Sequence, residues 1–179
     1  MLWHTKMMYR PDDHLVLLDS NILIYAEQAE DPHHGAAKSL RDRALAGEIR
    51  ACISPQVLSE FFAIVTNPRR VSTPLTAEKA LENIRNYNRS QKLLKIFPGH
   101  HIINRMIALL ETHPISGQNI HDLYLVATML ENDVSFIFTY NVADFARISE
   151  IQVLNPEKVD VPEPEETEET EKPPSQTQE

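Results

Sequence analysis

The chain has 179 residues, 42% of them hydrophobic, with one cysteine and a formal net charge of −9. That length supports one well-buried domain rather than two. The lone Cys52 rules out an intramolecular disulfide scaffold, and the sequence has neither a signal-like start nor the apolar run of about 18 residues that a membrane helix needs, so a cytoplasmic protein with no membrane partner is expected.

Residues 1–14 carry no clean periodicity and read as an N-terminal extension. Residues 15–18 form a short apolar run that ends at Asp19, and 51–53, 93–97, 135–139 and 151–154 are similar runs, all predicted as buried strands. Helical spacing is predicted over 34–46, over 55–66 with Val57, Phe61 and Ile64 on one side, and over 77–88 and 100–110. A further helix is predicted over 122–130, where Leu123, Val126, Ala127 and Leu130 share a face. Pro68, Pro74, Pro98 and Pro114 fall between these patterns, where breakers belong. Cys52, between Ala51 and Ile53, reads as a small buried hydrophobe. Strand and helix alternate, so the fold expected for residues 15–156 is a three-layer α/β/α sandwich with a mainly parallel central sheet.

Charge is distributed unevenly along that frame. Nine acids and two bases fall between residues 157 and 179, so −7 of the −9 belongs to a Pro-, Glu- and Thr-rich tail with little apolar surface to bury, and disorder is expected there. Between residues 69 and 105, Arg69, Arg70, Lys79, Arg85, Arg89, Lys92, Lys95 and Arg105 stand against only Glu78 and Glu82. Such a stretch can be a solvated helix face or can attract a polyanion. Aromatic interleaving is thin, limited to Tyr87 and Phe97, which suits phosphate contact more than base readout. The tail could compete with a polyanion for this stretch, or simply keep the protein soluble.

Four acids have contexts suited to metal chemistry. In parallel α/β sheets, sites form beyond the carboxyl ends of strands, and Asp19 stands immediately after the first. Asp144 follows the run at 135–139 by a few residues, and could either reach that edge or cap a short helix near Phe145. Asp122 opens its helix, where the macrodipole favours a carboxylate with or without a metal. Glu60 lies in mid-helix beside Phe61 and Phe62, and an orientation toward the buried side would be costly without a cation or another partner. Asn21, Ser20 and Thr139 are placed either to orient carboxylates or to cap strand ends. The eight histidines include adjacent pairs at 33–34 and 100–101, which cannot easily face one ion from a regular element, and no Cys-pair or H-E-x-x-H spacing accompanies them.

Taken in order, Asp19-Ser20-Asn21-Ile22-Leu23-Ile24-Tyr25-Ala26, then Ser54-Pro55-Gln56-Val57-Leu58-Ser59-Glu60-Phe61, then Gly117 with Asp122, then Thr139-Tyr140-Asn141-Val142-Ala143-Asp144-Phe145 resemble the successive motifs of PIN-domain proteins, and most nearly those of VapC-like toxin ribonucleases. The resemblance implies a metal-dependent endoribonuclease, the toxin of a type II toxin-antitoxin pair, with a cognate antitoxin and a homodimeric state. It implies Mg²⁺ or Mn²⁺ held by Asp19, Asp122 and Glu60, with Asp144 completing the catalytic acids, Asn21, Thr139 and Asn141 as accessory polar groups, and RNA as the substrate. Hard oxygen donors suit those ions. Arg69, Arg70, Arg85 and Arg89 are the candidate RNA contacts. One residue departs from the pattern: many relatives place an Asp where this chain has Asn141.

Two other readings remain at this point. A haloacid-dehalogenase-like phosphohydrolase would want a second acid two residues after the first, and Asn21 occupies that place. A non-catalytic PIN module that binds RNA or a protein partner is the alternative that the neutral Asn141 supports.

Overall fold

The computed structural model describes residues 14–159. The expected extension before residue 14, and the tail beyond residue 159 with the competition proposed for it, lie outside the described residues. The elements run β1 (Val16–Leu18), α1 (Ser20–Tyr25), α2 (His34–Ala46), β2 (Ala51–Ile53), α3 (Pro55–Val65), α4 (Ala77–Arg89), β3 (Leu94–Lys95), α5 (Ile102–Thr112), a 3₁₀ turn (Gly117–Asn119), α6 (Ile120–Glu131), β4 (Phe136–Phe138), α7 (Val142–Phe145) and β5 (Gln152–Leu154).

The strands form one sheet in the order β3-β2-β1-β4-β5, and every pairing is parallel. Every residue of β1, β2 and β4 is buried. Successive strand side chains point to opposite faces, so burial of all of them means that helices cover both faces, which is the three-layer arrangement expected. Cys52 belongs to this core, and burial pushes its thiol up to about 12, so it acts as a packing residue. Helix ends follow local chemistry. Ser54 accepts a hydrogen bond from the Val57 amide at 3.3 Å with Pro55 opening α3, and α2 ends at Gly47 in the left-handed region at φ 85°.

Strand order explains where a site can form. From the central β1 the chain winds outward through β2 to β3, then crosses to the other side for β4 and β5. The winding direction reverses between β1 and β4, and the crevice beyond their carboxyl ends is the switch point at which α/β sheets bind ligands. Leu18 pairs with Phe138 at this edge, so Asp19 and Thr139, the next residue of each strand's chain, emerge side by side.

Three local expectations change. Helix α1 was not anticipated: its six residues, Ser20 to Tyr25, are too few for a helical period to emerge from an apolar run. The strand expected over 93–97 shrinks to Leu94–Lys95. Asp144 does not cap α7: Asn141 holds the N-cap position, and Asp144 lies inside the first turn.

Candidate metal and nucleic-acid site

Asp19 leaves β1 and becomes the N-cap of α1. Its Oδ1 accepts from the Ser20 amide at 2.6 Å and the Ser20 hydroxyl at 3.3 Å, and its Oδ2 accepts from the Asn21 amide group at 2.8 Å and the Thr139 hydroxyl at 2.6 Å. The network extends across the crevice: Asn21 Nδ2 also donates to Thr139 Oγ1 at 2.9 Å, and Asn21 Oδ1 accepts from the Tyr140 amide at 3.2 Å. The Asn141 amide donates to Thr139 Oγ1 at 3.0 Å. Ser20, Asn21 and Thr139 are all buried, so these groups orient the Asp19 carboxylate as well as closing the strand ends.

Asp19 is only 5% exposed, and its carboxyl is pushed up to about 6. Burial is the largest cause, opposed by the Thr139 hydrogen bond and reinforced by the negative charges of Glu60 and Asp122. Asp122, half-buried in the first turn of α6, is also raised, by burial first and then by Asp144 and Glu60, against the lowering influence of Arg147 and His121. Asp19, Glu60, Asp122 and Asp144 are therefore linked electrostatically, Asp144 through Asp122, although they come from the end of β1, from α3, from α6 and from α7.

Glu60 departs from the buried orientation considered for it. Val57, Phe61 and Val65 form the buried stripe of α3, and position 60 is rotated about 100° from Phe61, which places Glu60 on the exposed side. Asp144 and Asn141 are exposed too. No three His, Cys, Asp or Glu side chains among the described residues stand close enough to form a closed metal cage. A small hard cation that keeps most of its water needs only one or two direct carboxylates, and the all-oxygen set of repelling acids fits such an ion.

The basic candidates disperse. Arg69 and Arg70 lie in the turn after α3 and Arg89 ends α4, all exposed. Arg85 lines a cavity of about 290 Å³ with Ile53, Ser54, Leu58, Lys95 and Phe97. Two neighbours of the acids were not singled out from sequence. Gln56 donates to the His121 carbonyl at 2.8 Å and so ties α3 to α6 beside Asp122. Arg147, just past α7, is close enough for its charge to lower Asp122, and no sequence signal set it apart.

A family model described as the PIN domain matches residues 16–151. Ribonuclease VapC24 of Mycobacterium tuberculosis is 27% identical over 144 residues, covering 79% of this chain and 97% of that protein. Among solved structures, VapC20 of Mycobacterium tuberculosis, described as a Sarcin-Ricin loop cleaving toxin, superposes with a TM-score of 0.55 at 16% identity, covering 73% of this chain and 93% of the other. VapBC2 from Rickettsia felis, solved bound to a promoter DNA fragment, gives a TM-score of 0.55 at 21% identity, covering 79% and 98%. At those identities the structural likeness bears on the fold.

Proposed function

The chain belongs to the PIN-domain family, and from that premise we propose that it is a metal-dependent endoribonuclease, the toxin of a toxin-antitoxin pair. The observation that supports this reading is the electrostatic coupling of four acids near the β1/β4 switch point: Asp19 is raised by burial and by the charges of Glu60 and Asp122, and Asp122 by burial and by those of Asp144 and Glu60. The ribonuclease and toxin names of the relatives give the substrate and the biological setting.

Asp19 and Asp122 would hold Mg²⁺ or Mn²⁺, with Glu60 and Asp144 reaching it directly or through water. A divalent cation in such a set supplies an activated water and offsets charge at a phosphodiester. The protein's own contribution is orientation. Asn21 and Thr139 fix Oδ2 of Asp19 from one side and Ser20 fixes Oδ1 from the other, while Arg147 limits the repulsion at Asp122. The exposed Glu60 and Asp144 can move toward an ion without losing packing.

A cognate antitoxin belongs to this proposal, supported by the toxin-antitoxin complexes among the structural neighbours, and a homodimeric state belongs to it on the family resemblance alone. A second reading, a PIN module that binds without cutting, draws on the neutral Asn141 and on the lack of a closed metal cage among the described residues. Calorimetric titration with Mn²⁺ separates the two. The nuclease reading expects binding that the Asp19→Asn, Asp122→Asn double variant loses, whereas a wild-type protein that binds no Mn²⁺ favours the binding module.

A further inference from the structure

Phe97 is an exposed aromatic on a fixed backbone. It is 59% exposed, yet its carbonyl accepts from Asn132 Nδ2 at 2.8 Å, the preceding Ile96 amide donates to the Ile53 carbonyl at 2.9 Å, and the nearby Gly99 amide donates to Glu131 at 2.6 Å. A large apolar ring held out in water by a braced loop costs free energy unless something covers it. Phe97 also lines two cavities that share Ser54 and Pro55. The first, about 290 Å³, carries Arg85, Asn88 and Lys95. The second, about 280 Å³, carries Gln56, Pro98, Tyr124 and Thr128.

The second cavity adjoins the acidic site. Gln56 is bound to the carbonyl of His121, next to Asp122, and Glu60 follows Gln56 by one turn of α3. The first is basic. Its lining holds two cations and no acid, and no ion pair to Arg85 or Lys95 occurs among the described residues; Lys95 Nζ donates to the Ser90 carbonyl. Each cavity is near the lower bound of ligand-sized pockets, about 300 Å³, which suits one planar group.

We propose that Phe97, between these two cavities, is a stacking platform for one base of single-stranded RNA, with Arg85 and Lys95 receiving the adjoining phosphates and the strand running past Gln56 into the acidic site. The charge pattern selects this occupant: an apolar ring beside two cations that make no ion pair among the described residues matches the alternation of base and phosphate along a single strand. The proposal rests on the reading of the acidic site as one that acts on RNA, and it makes Phe97 a binding residue rather than a catalytic one.

The test measures fluorescence anisotropy of a labelled single-stranded oligoribonucleotide in EDTA, so that cleavage plays no part. Phe97→Ala is expected to weaken binding by roughly 5- to 150-fold, the range of one aromatic–base stack. Phe97→Trp should preserve affinity, and a matching abasic ribose-phosphate strand should bind both proteins alike. Arg85→Gln with Lys95→Gln should weaken both strands and flatten the salt dependence. Unchanged RNA affinity in Phe97→Ala would overturn the platform while leaving a wild-type nuclease intact. The same result with a changed sedimentation coefficient would assign Phe97 to a protein interface instead. A wild-type protein that binds no RNA would overturn the platform and the nuclease reading together.

Discussion

Thr139 donates its hydroxyl hydrogen to Oδ2 of Asp19 at 2.6 Å, across 120 residues of sequence and between the carboxyl ends of adjacent strands β4 and β1. The same oxygen of Thr139 accepts from Asn21 and from the Asn141 amide. One buried hydroxyl thus holds the principal acid of the site and the start of α7 in register.

Thr139→Val should therefore lower stability by about 1–3 kcal/mol, the usual cost of leaving buried partners unsatisfied, and should raise the Asp19 pKa further by removing its main lowering influence. Thr139→Ser should retain both. Denaturant melts of the two variants check this, and equal stability of Thr139→Val and wild type would show that the hydroxyl holds nothing.

The raised pKa of Asp19 sets a pH dependence for the metal-free protein. The folded state keeps a proton on Asp19 up to about pH 6, whereas the unfolded chain releases it near the ordinary aspartate value of 3.8. Between those values the native state binds more protons, so the contribution of Asp19 to stability is fully present below the lower value and is lost as pH rises through the upper one. The integrated loss is about 3 kcal/mol at 1.36 kcal/mol per pKa unit. Melting temperatures in EDTA should fall over this window, and saturating Mn²⁺, which favours the ionised form, should reverse the trend. A metal-free protein that grows more stable from pH 4 to 6 after correction for its other groups would contradict the shift at Asp19.

Asp144 and Asn141 can be separated by exchange. If Asp144 serves the fourth acidic position from the first turn of α7, Asp144→Asn should cost about 10- to 100-fold in metal affinity or activity, as loss of a supporting group around a metal does. Adding Asn141→Asp to that variant should recover part of the loss. The comparison needs initial rates of RNA cleavage over a range of Mn²⁺ concentrations. No effect of Asp144→Asn would leave three acids as the whole site.

The centre of the sheet was legible because β1, β2 and β4 are buried on both faces and read as short apolar runs, at 16–18, 51–53 and 136–138, and the edge strand at 152–154 was legible from its Val153-Leu154 pair. The order of those strands was not legible; it emerges only from pairing, and it is what brings Asp19 and Thr139 together. Asp19 could be recognised from its place after a strand, and its motif context led to the family. The orientation of Glu60 could not: Phe61 and Phe62 suggested a buried flank, but only the phase of Val57, Phe61 and Val65 against the core decides which side faces water. Phe97 was noted as one of two candidate aromatics in the basic stretch. Tyr87, the other, is buried and packs edge-on to Phe61 at 5.8 Å, so sequence alone could not say which of them was available to a ligand.

Cleavage of a structured RNA is the most direct test of the acidic site, run with Mg²⁺ or Mn²⁺, with EDTA, and with the Asp19→Asn, Asp122→Asn double variant. Metal-dependent cleavage that EDTA and the double variant both abolish is predicted. Equal cleavage by the wild type and the double variant would contradict the assignment of chemistry to these residues.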